Sequence, residues 1–306
     1  MNMGGASTLD EVEIFMRNMF NDRRIIGAPP FIRKPLAEWI TRSRLAGVQE
    51  NYKKLGGGSP LLEISRRVQR KLQDRIEDGT VELIMRYTPP FAKEVLDRLK
   101  NEGVEKLYLI PMYPHFSTTT TASSIEDIRR TASMIGYRPK IVSLLHYYDD
   151  PSYLEAVEEK IVQRLGKTDP KSLTMIFSAH GLPKRVIKRG DPYQTQIREE
   201  VALHLKRLRH RGIEFAQTHL AYQSRVGPVA WLTPALDRVL EEVKNKKVLI
   251  YPLSFTIDNS ETLFELDIEY RHVAERLGFE YYEVCSCPND SDTFVRVLEN
   301  LYRKMG

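Results

Sequence analysis

Seven apolar runs, separated by segments of helical period, do most to limit what this 306-residue chain can fold into. The runs are "VELIMRY" from 81, "KLYLIPMYP" from 106, "PKIVSLLHYY" from 139, "SLTMIFSAH" from 172, "FAQTHLAYQS" from 215, "KVLIYPLSF" from 247 and "YYEVCSCP" from 281. They are continuous rather than alternating, as strands buried on both faces are. Between most of them lie amphipathic stretches at 91–103, 123–136, 151–166, 193–212 and 261–278, each closing on a glycine or followed by a turn. Glycine is the residue expected just past a helix end. The pattern predicts an α/β chain with parallel sheets flanked by helices.

Seven strands in a chain of this length fit two βαβ halves better than one sheet. "HYYDDPSY" (146–153) is the natural junction, because Pro151 suits the first turn of a helix. We therefore expect two Rossmann-like domains, residues 1–148 and 149–306, with a cleft between them. The last helical pattern, 291–304, is a candidate to cross back to the first half. In such sheets ligands bind beyond the carboxyl ends of the strands, which directs attention to those ends.

Composition narrows the function classes. No stretch of 18 apolar residues is present, and the first residues lack the basic and apolar regions of a secretory signal. The expected compartment is the cytoplasm. The net charge of +5 mildly favours an anionic partner, but no nucleic-acid motif accompanies it. Cys285 and Cys287 are the only cysteines, too few for a disulfide framework or for the four thiolates of an iron–sulfur cluster. No tightly bound cofactor is expected.

Two residues stand out at strand ends. His180 closes the fourth run, and Glu261 opens the helical segment after the sixth. A neutral imidazole facing a carboxylate can take up protons or hold a divalent cation through nitrogen and oxygen. Two ligands leave a metal open, as befits an ion in transit. Glu265 and Glu269 follow at helical spacing, so three carboxylates share a face with Ser260 or Asp258 as the cap before them. The triple glycine of "YKKLGGGSPLLE" (52–63) lacks the Gly-Lys-Ser/Thr of a phosphate loop. It reads either as a turn before a helix or as a place of close backbone approach to a flat ligand. "PPFIRKPLAEWITRSRLAG" (29–47) alternates apolar and basic residues, as a membrane-touching lip or a helix over the core would.

The segment "FSAHGLPKRVIKRGDPY" (177–193) resembles the signature of ferrochelatases, the enzymes that insert Fe²⁺ into a porphyrin. "NMGGASTLDEVEIFMRNMFND", "YKKLGGGSPL", "MRYTPP", "YPHFSTTTTASS", "YQSRVGPVAWLTP" and "FTIDNSETLFELDIEY" resemble further motifs of that family, in the expected order. The resemblance implies two Rossmann-like domains around a porphyrin cleft, with porphyrin and ferrous iron as substrates and two protons released. The porphyrin would be protoporphyrin IX or coproporphyrin III. It places His180 and Glu261 at the catalytic and metal-contacting positions, and Met3, Arg44, Tyr52, Ser59, Arg86, Tyr87 and Tyr222 at porphyrin-binding ones. Asp258, Glu265 and Glu269 fall on a proton or metal path. Peripheral membrane contact would suit a sparingly soluble substrate. The chain departs from the pattern with Asn259 in place of a histidine, His115 in place of a glutamine and Tyr222 in place of a tryptophan. The family also has an apolar strand before the segment that here begins at Asn2, so either the start is misassigned or the first strand is truncated. Alternative readings are a cobalt or nickel chelatase for another tetrapyrrole, a non-catalytic haem-binding protein, and a two-domain solute-binding protein.

Overall fold

The computed structural model describes residues 1–225 and 227–306. The chain divides into two compact units. One comprises Met1–Tyr113, Ser117–His146 and Leu298–Gly306, the other Pro114–Phe116 and Tyr147–Val297.

In the first unit, α1 (Glu11–Phe20) packs on the long α2 (Pro30–Lys54) around Ala6, Val12, Met16 and Tyr52. The chain then turns through Gly56 and Gly57, at φ +86° and +101°, into α3 (Leu61–Gln73). Gly58 is needed for a close approach to the chain itself: a Cβ there would lie 2.1 Å from the Ser7 carbonyl oxygen. A parallel βαβ unit follows α4 (Ala92–Asn101). It consists of β1 (Lys106–Leu109), α5 (Thr121–Met134) and β2 (Lys140–Ser143), with Leu107 level with Ile141. Its core joins Val95, Leu96 and Leu99 of α4 to Leu107, Leu109, Ile125 and Ile128.

The run from 81 does not form the strand expected of it. It makes an isolated bridge, Asn2 to Met85, with Asn2 N–H donating to Ile84 O (3.0 Å) and Arg86 N–H to Asn2 O (2.9 Å). Tyr87 N–H also donates to Met3 O (2.8 Å), and the segment turns at Gly4, φ +87°, where a Cβ would clash with Thr88.

The second unit is built on one parallel sheet in the order β4–β3–β5–β6. Its elements are α6 (Pro151–Leu165), β3 (Thr174–His180), α7 (Lys184–Lys188), α8 (Tyr193–His210), β4 (Gln217–Gln223), α9 (Leu236–Glu242) and β5 (Lys247–Pro252). A π-helical segment (Glu261–Glu269), α10 (Tyr270–Arg276), β6 (Tyr281–Val284) and α11 (Asp292–Met305) complete it, α11 ending in the first unit. Asp150 caps α6 by accepting from Ser152 N–H at 2.9 Å. The six residues of β3 before His180 are all buried, which explains why "TMIFSA" is unbroken by charge. Ile176, Ala221, Val248 and Ile250 pack with Leu236, Leu240 and Leu266 from the covering helices.

A buried polar chain runs through this unit. His115 Nε2 meets Glu200 Oε2; His204 faces Glu200 Oε1 through Nε2 and Glu158 Oε1 through Nδ1, both at 3.4 Å; Arg207 Nε donates to Glu158 at 2.6 Å. Glu158, Glu200 and His204 have no exposed surface. Imidazole nitrogens that both face carboxylates mark His204 as an imidazolium.

Candidate active site

Strands β4, β3 and β5 bring their carboxyl ends level: His180 is in register with Gln223, and Ser178 with Pro252. The chain leaving each end supplies the site. His180 Nδ1–H donates to Glu261 Oε2 at 2.7 Å. The main chain of His180 is fixed from both sides. Its N–H donates to Ser254 Oγ (3.0 Å), its carbonyl accepts from Tyr193 O–H (2.9 Å), and the two hydroxyls meet at 2.6 Å. Phe255 stands edge-on to the imidazole, with ring centroids 6.4 Å apart. Both His180 and Glu261 keep about a third of their side-chain surface open, 34% and 35%. Among the described residues, no protein hydrogen bond reaches His180 Nε2 or Glu261 Oε1.

Glu261 is placed by Asn259, whose Oδ1 accepts the Glu261 N–H at 2.8 Å while its amide donates to Ile257 O. Ser260 holds the N-cap position without a side-chain capping bond, and the bond to the Glu261 N–H comes from Asn259. The residue that replaces the histidine of the resembling motifs opens the helical segment. That segment is wider than an α-helix, with Tyr270 N–H bonded to Glu265 O five residues back. Such π turns are frequent at functional sites.

Glu265 joins the pair through the loop after β4. Ser224 donates its N–H to Glu265 Oε1 (2.7 Å). Its hydroxyl lies between Glu265 Oε2 and Glu261 Oε2, 3.2 Å from the latter. Gln223 Nε2 donates to Glu265 Oε2 at 3.3 Å and is itself held by Ser178.

The electrostatics follow from this geometry. Burial works against a charged His180, but the Glu261 carboxylate, its hydrogen bond and Glu265 outweigh it, so the imidazole titrates above its ordinary value. Burial likewise pushes Glu261 up, and His180 with the Ser224 hydroxyl brings it below the usual carboxylate range. Glu265 is pushed up to about 7, first by burial and then by the Glu261 charge. The site therefore holds an imidazole that keeps its proton to higher pH than a free one and a carboxyl that titrates at about 7, beside a carboxylate held ionised. Among the described residues, no group of three or more His, Cys, Asp or Glu is arranged to hold a metal ion. A cation at His180 and Glu261 would meet two protein ligands and an open side.

The other residues singled out in the sequence lie elsewhere. Asp258 turns to the 287–289 loop, accepting from Cys287 N–H (3.2 Å) and Asn289 Nδ2 (2.6 Å). Glu269 is exposed at the end of the π segment. Cys285 and Cys287 are buried thiols, and burial raises the pKa of both.

In the first unit, Arg86 donates to Asp22 Oδ2 (3.0 Å) and Ser123 Oγ (3.1 Å). Tyr87, with no exposed surface, donates its hydroxyl to the same Asp22 oxygen at 2.8 Å. Burial pulls the Asp22 carboxyl up, but Ser123, Arg24 N–H, Arg86 and Tyr87 hold it below its ordinary value. Tyr52 (3% exposed) and Ser59 (6%) are also buried; Ser59 Oγ accepts Leu61 N–H at the start of α3, and Ala6 O accepts Ser59 N–H at 2.7 Å. Tyr222 is 1% exposed within β4. All three of these aromatic side chains are almost fully buried. Met3 is half-buried, and Arg44 is exposed on α2 with no ion pair among the described residues.

Sequence reasoning did not single out Ser224, Ser254, Tyr193 or Gln223. Gln223 ends β4, Ser224 and Ser254 lie just past strand ends and Tyr193 opens α8, but single polar residues at such places carry no periodicity.

The second unit is thus a parallel α/β fold with a histidine–glutamate pair at the carboxyl edge of its sheet. Solved proteins share that fold. SirB from Bacillus subtilis, solved with Fe³⁺, superposes with a TM-score of 0.56 at 13% identity, covering 79% of this chain and 88% of that one. CbiX, described as the terminal enzyme for siroheme biosynthesis in denitrifying bacteria, superposes at 0.55, covering 80% and 93%.

The ferrochelatase family model matches residues 1–305. The chain is 46% identical to the ferrochelatase of Sulfurimonas denitrificans, over all of this chain and 97% of that one. It is 46% identical to that of Nitratiruptor sp., over all of this chain and 98% of that one. The chain belongs to the ferrochelatase family and is a metal-inserting lyase. The relatives do not favour a passive haem carrier or a cobalt or nickel chelatase.

Proposed function

We propose that His180 and Glu261 insert Fe²⁺ into a free-base porphyrin at the carboxyl edge of the second sheet. The observation that carries this reading is the pair's geometry: each commits one atom to the other and keeps one atom, Nε2 or Oε1, open. Insertion requires the two pyrrole N–H protons to leave and the metal to shed water as it meets the ring. With Nδ1–H given to Glu261, neutral His180 presents the lone pair of Nε2 to a pyrrole proton. The Glu261 charge stabilises the imidazolium that results. Glu265, titrating near 7, is the next acceptor in line. Fe²⁺ is a substrate here, met by nitrogen and oxygen donors that suit it and released to the ring.

The family resemblance gives Arg44 and Met3 porphyrin-binding positions, and Arg44, exposed and without an ion pair among the described residues, has the free guanidinium a propionate ligand needs. Arg86 and Ser59 are held in internal hydrogen bonds, so their contribution is to shape the unit around Tyr87 and Tyr52. Asp258 and Glu269 are left out of the proton path, being directed away from the Glu261–Glu265 cluster.

The outward face of α2 supports peripheral membrane contact. Phe31 is 77% exposed and Trp39 67%, next to Ile32, Leu36, Arg33 and Lys34. Among the described residues no helix is long and apolar enough to cross a membrane.

The test is spectroscopic. Mixing the protein with Fe²⁺ or Zn²⁺ and a free-base porphyrin converts the free-base absorbance to that of the metalloporphyrin faster than the uncatalysed reaction. A protein that binds the porphyrin and leaves the rate unchanged refutes the proposal.

A further inference from the structure

We infer that Ser224 is a positioning residue of the insertion reaction: its hydroxyl ties Glu265 to the His180–Glu261 pair and fixes which Glu261 oxygen stays open. This rests on the chelatase reading of the site and adds to it a group whose part is played through the two carboxylates.

Three observations carry the inference. The first is the backbone. Ser224 sits at φ +63°, one of two non-glycine residues among those described that occupy the left-handed region. Serine is disfavoured there, and glycine would take the conformation at no steric cost. A side chain kept in a disfavoured backbone region points to a task for that side chain.

The second is the bonding. The left-handed turn aims both polar groups of Ser224 the same way, N–H to Glu265 Oε1 at 2.7 Å and hydroxyl to Glu265 Oε2 and Glu261 Oε2. Two carboxylates four residues apart on one helical segment repel, and a shared hydroxyl between them relieves that. It donates to one and accepts from the other whenever the other is protonated.

The third is selectivity of atoms. His180 Nδ1 and Ser224 Oγ both reach Glu261 through Oε2. The carboxylate therefore cannot rotate freely, and Oε1 is the oxygen presented to the metal. Gln223, anchored by Ser178 inside the sheet, braces Glu265 from the other side, so the arrangement is rigid from strand to carboxylate.

The hydroxyl and the backbone are separated by three substitutions. Ser224→Gly keeps the turn and its N–H and deletes the hydroxyl. Ser224→Ala deletes the hydroxyl and keeps the left-handed strain. Ser224→Thr keeps the hydroxyl and worsens the strain by β-branching. Metallation kinetics and thermal unfolding are measured for each. The positioning role predicts that Gly and Ala both lower kcat by roughly 10- to 100-fold, the loss of a hydrogen bond to a charged group. The porphyrin KM stays near wild type, and the Gly protein unfolds at the wild-type temperature. Thr keeps kcat within about 3-fold of wild type while unfolding earlier. If Ser224→Gly turns over at the wild-type rate, or Thr falls as far as Ala does, the hydroxyl has no such role and the inference is overturned, with the chelatase reading intact. If wild type itself gives no metallation, the underlying reading fails and takes this one with it.

Discussion

Replacing Glu200 by glutamine probes the most heavily charged interior in the second unit. Glu200 has no exposed surface, meets His115 Nε2, and faces His204 Nε2 at 3.4 Å. At an effective dielectric constant of 20, one unit-charge pair at that separation is worth about 5 kcal/mol before desolvation is deducted. Breaking a buried pair from one side costs about 3–5 kcal/mol, because the partner stays buried with its charge. Glutamine keeps the volume and removes the charge. The expected loss is therefore about 3 kcal/mol, or about 6–12 °C in the unfolding midpoint of a unit of about 150 residues.

The pH dependence has a definite sign. The folded-state pKa of His204 lies above its unfolded value. Burial lowers it, but the bonds to Glu158 and Glu200 raise it more. Its contribution is whole below the unfolded pKa of about 6.5 and is lost as pH rises through the folded pKa. Glu200 and Glu158 are raised by burial but lowered more by His115, His204 and Arg207, so their contribution is present above about pH 4.3 and is lost in acid. Urea unfolding followed by circular dichroism from pH 4 to 9 should show a stability plateau for wild type and a lower, flatter profile for Glu200→Gln. A loss below about 1 kcal/mol at pH 7 would refute the reasoning, since a group with no charge to satisfy costs no more than an ordinary side chain.

Three further outcomes are expected. The acid limb of kcat/KM should fall above the ordinary histidine pKa, because Glu261 holds His180 protonated to higher pH, and Glu261→Gln should move that limb to lower pH while cutting turnover. Arg44→Ala should raise the porphyrin KM roughly 10-fold with kcat kept, and a comparison of protoporphyrin IX with coproporphyrin III shows which set of carboxylates the wild-type protein prefers. Phe31→Ser with Trp39→Ser should weaken binding to vesicles containing anionic lipid, read by sedimentation, with turnover of a water-soluble porphyrin unchanged.

The α/β class was legible because the central strands β3 and β5 are buried on both faces and so carry near-continuous apolar runs, while the helices between the strands keep a polar side. The run at 81–87 looked the same and makes only an isolated bridge, because a strand depends on a neighbour along its length and the neighbouring segment turns at Gly4. His180 and Glu261 were legible from their place at strand ends. The groups that aim them were not, because Ser224, Ser254 and Asn259 act through single hydrogen bonds set by loop geometry. The same limit hid His115, Glu158, Glu200 and His204, which are ordinary surface residue types until the packing of α6 and α8 encloses them. Tyr87 and Tyr222, which the family resemblance puts at porphyrin-binding positions, are almost fully buried, a burial that a motif does not reveal.

The account turns on His180 as the group that takes the pyrrole proton while Glu261 holds it in place. The most direct test is the single-turnover rate of metallation for His180→Ala at saturating porphyrin, with porphyrin binding measured on the same sample. Binding within a few-fold of wild type and a rate indistinguishable from the uncatalysed reaction are predicted. Full wild-type turnover by the alanine variant would contradict the account.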